Sequence, residues 1–166
     1  MTFCLSIMTY AQTPRDRATE LKEQAQSSLN QKDYIKARYL FKKAYEAFAT
    51  RENYPQAIEC GVQANALYVR ENFYKEGFEL CRDMDQLIWA GEQNQKKVFY
   101  DLRFLVNKER LQMYTALKNP AQAKTQLNKL EETANLAKND SLTEVLLYTK
   151  ANYYYTSVSY THLRAH

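Results

Sequence analysis

Apolar residues recur along this chain at helical spacing, and short polar breaks interrupt them. Leu21, Ala25 and Leu29 are spaced for one face of a helix. Lys32-Asp33 breaks the pattern, and Tyr34, Ala37, Phe41 and Ala44 then line the face of a second helix. Two helices joined by so short a turn must pack antiparallel, with Ala25 and Ala37 letting the backbones approach while Leu21 and Phe41 fill the space beside them. The first helix is predicted to open at Pro14 with Thr13 as its cap and to run to Gln31, and its partner to run from Tyr34 to Thr50.

The same arrangement returns after the polar break Arg51-Glu52-Asn53, with Pro55 at a new helix start. Ala57, Gly61, Ala64, Leu67 and Tyr68 mark one helix; Glu71-Asn72-Phe73 joins it to another carrying Tyr74, Gly77, Cys81, Met84 and Ile88. Aligning Ala37 with Gly77 gives a step of 40 residues and puts Cys81 where Phe41 stands. The pattern is expected to break at Gly91-Glu92-Gln93-Asn94, with a long helix from Gln95. Val98, Leu102, Leu105, Leu111 and Tyr114 supply its apolar positions, and Phe99, Tyr100, Phe104 and Val106 broaden the face.

Tyr114–Ala123 then repeats the helix end, turn and small-residue start of Leu29–Ala37, with Asn119 as cap and Pro120 at the first helical position. Ala123, Leu127 and Leu130 correspond to Ala37, Phe41 and Ala44. Asn139-Asp140-Ser141 caps a last helix from Leu142, with Leu146, Tyr148, Ala151 and Tyr155 as its apolar face and Tyr153-Tyr154-Tyr155 as packing for a following helix.

Composition agrees with this all-α expectation. Among 166 residues there are three Gly and three Pro, while 14 Tyr and seven Phe suit a design with an aromatic plug or two in each helix pair. The net charge of +4 comes from interspersed acids and bases with no run of more than two Lys or Arg, so no footprint for nucleic acid is present. No Gly-rich phosphate loop occurs. His162 and His166 are the only histidines and both lie in the last five residues, which removes most triad, acid-base and zinc schemes from the body of the chain. Glu131-Glu132 and Asp83 with Asp85 are spaced so that they do not converge on a helix, and read as a solvated face. No catalytic residue, cofactor or metal is expected, and the chain reads as a non-enzyme. Cys60 and Cys81 fall on the two helices of the second pair, either as buried thiols or as a disulfide.

Leu21, Ala25, Asp33, Tyr34, Ala37, Phe41 and Ala44 sit at the offsets of a tetratricopeptide repeat, which this chain resembles. Ser28 departs from the family pattern, so Leu29 is expected to serve that layer. The 40-residue step exceeds the roughly 34 residues of the family and implies longer helices. The resemblance implies a right-handed stack of about three and a half antiparallel helical hairpins, an α-solenoid. It also implies that the first helix of each hairpin lines a concave groove for a protein or peptide. The groove positions it assigns are Lys22, Gln26 and Asn30, then Val62, Ala66 and Arg70, then Lys108, Gln112 and Thr115. Lys22, Arg70 and Lys108 would form a basic line suited to an acidic peptide or a C-terminal carboxylate. Gln26 replaces the asparagine of the family's carboxylate clamp.

Residues 1–11 read as the end of a secretory signal peptide cleaved after Ala11, without the basic n-region, and residues 12–156 as the repeat domain. Residues 157–166 read as a non-native or disordered tail. Together these features resemble the periplasmic input region of Bacteroidetes sensor and regulator proteins, whose kinase or DNA-binding output and membrane tether would lie downstream. Asp140-Ser141-Leu142 resembles the O-glycosylation site of exported proteins from that group. The competing expectation is a stand-alone scaffold or assembly factor. An uncapped last helix would offer an apolar face for a homodimer.

Overall fold

The computed structural model describes the backbone of residues 16–164 and the side chains of residues 16–156. Seven α-helices and no strand occur among the described residues: α1 (Arg17–Asn30), α2 (Tyr34–Ala49), α3 (Tyr54–Arg70), α4 (Tyr74–Gln95), α5 (Tyr100–Ala116), α6 (Pro120–Ala137) and α7 (Asp140–Arg164). The leader reading, its cleavage after Ala11 and the Thr13-Pro14 helix start lie outside the described residues, as do the side chains of the tail after Thr156. The first described helix is capped by Asp16, whose carboxylate accepts the Ala18 N–H at 3.2 Å.

Five side chains cap helix starts. Asp16, Asp33, Asn53, Asn119 and Asn139 each accept a backbone N–H two or three residues on. The ends follow one rule as well. Lys32, Glu52, Asn72, Lys96, Lys118 and Lys138 all have φ between 49° and 62°, and no described glycine has positive φ. Asp33 N–H reaches Ser28 O at 2.9 Å and Lys32 N–H reaches Leu29 O at 3.0 Å, the pair of bonds that closes a helix through one left-handed residue. The turns after α2, α3 and α5 repeat this pair.

Each helix runs antiparallel to the next. Arg51 at the end of α2 pairs with Asp16 at the start of α1. Asn94 near the end of α4 donates to the Tyr54 hydroxyl at the start of α3, 3.3 Å away. In the last pair, Glu131 meets Lys150 at 2.7 Å while the earlier Lys124 meets the later Tyr154. Alternate helices touch too, α3 with α5 and α5 with α7.

The small residues do what their spacing predicts. Ala25, Ala37 and Ala44 are fully buried beside Leu21 and Phe41, and Gly77, Cys81, Met84 and Ile88 line the inner side of α4. A Cβ on Gly77 would lie 2.8 Å from Met113 Sδ and 3.0 Å from Asn65 Oδ1. Ser28, where Leu29 was expected to substitute, is itself buried, with Leu29 packed partly beside it.

Two expectations are corrected. Gly91-Glu92-Gln93-Asn94 does not break the chain: α4 continues to Gln95, and α5 begins at Tyr100 rather than Gln95. Gly91 is a packing residue, its missing side chain making room for the Tyr54 and Phe99 rings. Val98 consequently falls in the connection and is 45% exposed. On α7, Leu146 is buried as expected, and Leu142 and Tyr153 pack half-buried beside it against α5 and α6. Tyr148, Ala151 and Tyr155, expected on the apolar face, are exposed. Positions 142, 146 and 153 repeat every 3.6 residues as well as the expected set does, and only the neighbouring helices choose between the two stripes.

The apolar interior has two parts. The larger runs from Ala18 to Met113 across α1–α5, and the smaller holds Phe104, Leu111, Ala123, Leu127, Leu130, Ala134 and Leu146. α5 is the wall between them, giving Leu102, Val106 and Met113 to the first and Phe104 and Leu111 to the second. This accounts for its broad apolar face in the sequence.

Candidate peptide-binding face

The positions assigned to a groove lie on α1, α3 and α5, and bonds between these helices hold them in order. Lys22 of α1 donates to Gln56 Oε1 at 2.8 Å and Glu59 Oε2 at 2.7 Å on α3. Asn65 of α3 donates to Glu109 Oε2 of α5 at 3.1 Å. The nine assigned residues therefore belong to three neighbouring helices.

The expected basic line is reduced by partners. Lys22 is half-buried and neutralised by Glu59. Lys108 is half-buried with its ammonium 3.9 Å from Glu109 Oε1. Arg70 is exposed, its guanidinium carbon 3.9 Å from the centre of the Tyr34 ring, a cation-on-ring contact that fixes the head group and leaves its N–H donors accessible. Of the three cations, Arg70 is thus the one whose head group rests on an aromatic ring, while Lys22 and Lys108 lie beside carboxylates.

Gln26, Asn30 and Gln112 are exposed. Gln26 donates to Asn30 across one helical turn at 3.1 Å, which leaves the Gln26 oxygen and the Asn30 amide N–H groups for another molecule. Val62 and Thr115 are half-buried, and the Thr115 hydroxyl is spent on Leu111 O at 2.8 Å. Ala66 is exposed and small, leaving a low point between the longer side chains.

The sequence reading missed the pair beneath this face. Asn65 is 0% and Glu109 2% exposed. Their signal was present: Glu109 continues the stripe Leu102, Val106, Met113 at helical spacing, and Asn65 follows Gly61 by four. It also missed a second contact set at the C-terminal end of α3. Arg38 of α2 pairs with Glu71 and lies near the rings of Tyr68 and Phe73, at 4.9 Å and 5.1 Å.

Other chemistry is sparse. Cys60 and Cys81 are free and buried, and burial pushes their thiols up to about 11 and about 12, so neither supplies a thiolate at neutral pH. Among the described residues no three His, Cys, Asp or Glu side chains gather around a point that could hold a metal. None of the described helices is long and apolar enough to cross a membrane. A cleft of about 460 Å³ opens between α1 and α2, lined by Leu21, Tyr39, Leu40 and Ala47 with the mutually paired Lys43 and Glu46. It is separate from the assigned face. No protein-family model, curated protein or solved structure matches this chain.

Proposed function

We propose that this chain is a non-enzymatic peptide-binding module, a right-handed tetratricopeptide-like stack in which α1, α3 and α5 together form the receiving wall. The observation that carries the reading is the exposure of Gln26, Asn30, Arg70 and Gln112 on helices tied side by side by Lys22–Glu59 and Asn65–Glu109. Amides that both donate and accept match the backbone of an extended peptide, which presents an N–H and a C=O at every residue. Arg70, held on Tyr34, offers its planar donors to an acidic side chain or a terminal carboxylate. A rigid wall reduces the ordering that binding would otherwise require.

Fluorescence anisotropy with labelled decapeptides carrying an acidic C-terminal segment tests this. Binding is expected to weaken with added salt and by about tenfold, roughly 1.4 kcal/mol, in Arg70→Ala. Equal affinity for neutral peptides, or unchanged binding in Arg70→Ala, would refute the assigned wall.

A further inference from the structure

We propose that Asn65 and Glu109 form a proton-gated clip between α3 and α5, in which a protonated Glu109 carboxyl donates to the Asn65 side-chain oxygen while the Asn65 amide donates back. The inference goes beyond peptide binding and stands whether or not a peptide binds.

The geometry starts from an imbalance. Asn65 Nδ2 donates to Glu109 Oε2 at 3.1 Å, yet Asn65 Oδ1, fully buried, accepts nothing. A buried carbonyl oxygen left without a donor is costly, and such atoms are rare. α4 closes that side without supplying one. A Cβ on Gly77 would sit 3.0 Å from Oδ1, and the Gly77 N–H is already given to Phe73 O at 3.1 Å. A carboxylate can only accept, so an ionised Glu109 leaves the oxygen orphaned, whereas a protonated one supplies the missing O–H. The last torsion of a glutamic acid is soft, so the carboxyl can turn its proton toward Oδ1.

The surrounding charges permit this. On α5, the Lys108 ammonium is 3.9 Å from Glu109 Oε1, beyond hydrogen-bond reach, and Arg110 is committed to Asp85 at 2.5 Å and to the Cys81 carbonyl at 3.0 Å. On α4, the Cys81 thiol is pushed up to about 12 and stays neutral. α3 contributes the uncharged Asn65 amide. Burial is the largest influence on Glu109 and pushes its carboxyl above the ordinary range; the Asn65 bond and Lys108 oppose this without cancelling it. No side chain of α6 or α7 figures among these influences.

The consequence is directional. Because the folded carboxyl holds its proton more tightly than the unfolded chain does, the clip is complete below the ordinary glutamic-acid pKa and loses its carboxyl O–H bond, keeping the Asn65 N–H bond, as pH rises through the folded value. Ionisation then places a charge and an unpaired oxygen between the two helices that set the spacing of the wall.

Carbon-13 NMR of the Glu109 side-chain carboxyl in the whole chain tests the clip, its signal assigned by its loss in Glu109→Gln. It is expected to titrate above the ordinary glutamic-acid value of about 4.3. Titration at or below that value overturns the proposal. Glu109→Gln, which carries a permanent donor for Asn65 Oδ1, is expected to lose the fall in thermal midpoint that the wild type shows with rising pH over that window. Parallel curves for the two proteins would overturn it as well. If the variant does not fold, the wild-type titration, assigned through the backbone, decides alone.

Discussion

Glu92 and Arg103 join the end of α4 to the start of α5. Glu92 Oε1 accepts Arg103 Nε at 2.7 Å and also the Phe99 N–H at 2.9 Å, and Glu92 Oε2 takes a second guanidinium N–H. Phe99 occupies the cap position of α5 and has no side-chain acceptor for the helix's first N–H groups; a carboxylate from the preceding helix instead accepts the N–H of Phe99 itself and places a negative charge at the helix start.

Glu92→Ala is therefore expected to lower stability by about 1.5–3 kcal/mol, the range for hydrogen bonds to a charged group, with Arg103 half-exposed and favouring the lower end. The guanidinium holds the Glu92 carboxyl below its usual range. A depressed folded pKa means stability that is present above the unfolded value and lost as pH falls through the folded one. Urea unfolding from neutral into acid pH should show this loss in the wild type and its reduction in Glu92→Gln.

Gly91→Ala tests whether Gly91 is a spacer. A methyl there would meet Phe99 Cε2 at 2.8 Å and Tyr54 Cε1 at 2.9 Å, both on stiff rings. Overpacking of about 1–3 kcal/mol should exceed the helical preference of Ala over Gly, about 1 kcal/mol, and lower the denaturation midpoint. A higher midpoint would show that the rings move aside freely.

The left-handed turn residues offer the opposite change. Glu52, at φ 57°, is exposed and adopts a backbone region that costs an L-residue about 1–2 kcal/mol. Glu52→Gly relieves that strain at the cost of a more flexible unfolded chain, and a stability gain of about 0.5–1 kcal/mol, read as a higher thermal midpoint, is expected. Glu52→Val should shift it the other way.

The divided interior predicts divided unfolding. Leu130 is fully buried in the smaller cluster, and Leu130→Ala should cost about 2–5 kcal/mol there. Hydrogen exchange is expected to quicken in α6 and α7 while α1–α4, held by the larger cluster around Phe41, keep their protection. A uniform loss would mean that α5 couples both clusters into one cooperative unit.

Local chemistry made much of this architecture legible in the chain. The starts at Tyr34 and Pro120, and the burial of Ala37, Gly77 and Ala123, follow from capping residues and helical spacing, which act within a few residues of themselves. Gly91 is ambiguous in the sequence because a glycine in a helix and a glycine ending one have the same signal. Only the Tyr54 and Phe99 rings, from other elements, settle which it is. The charge of the candidate face was not legible, since Lys22 finds Glu59 and Lys108 leans toward Glu109 only once α1, α3 and α5 are side by side.

The sequence by itself determined an all-helical chain, its turns and the small residues at its crossings, because those properties depend on backbone propensity and on neighbours three or four positions away. Tertiary structure alone decided which stripe of α7 is buried, which cations keep a free edge, and that Asn65 faces Glu109 across 44 positions of chain. Packing sets these because burial and pairing depend on what lies beside a residue in space.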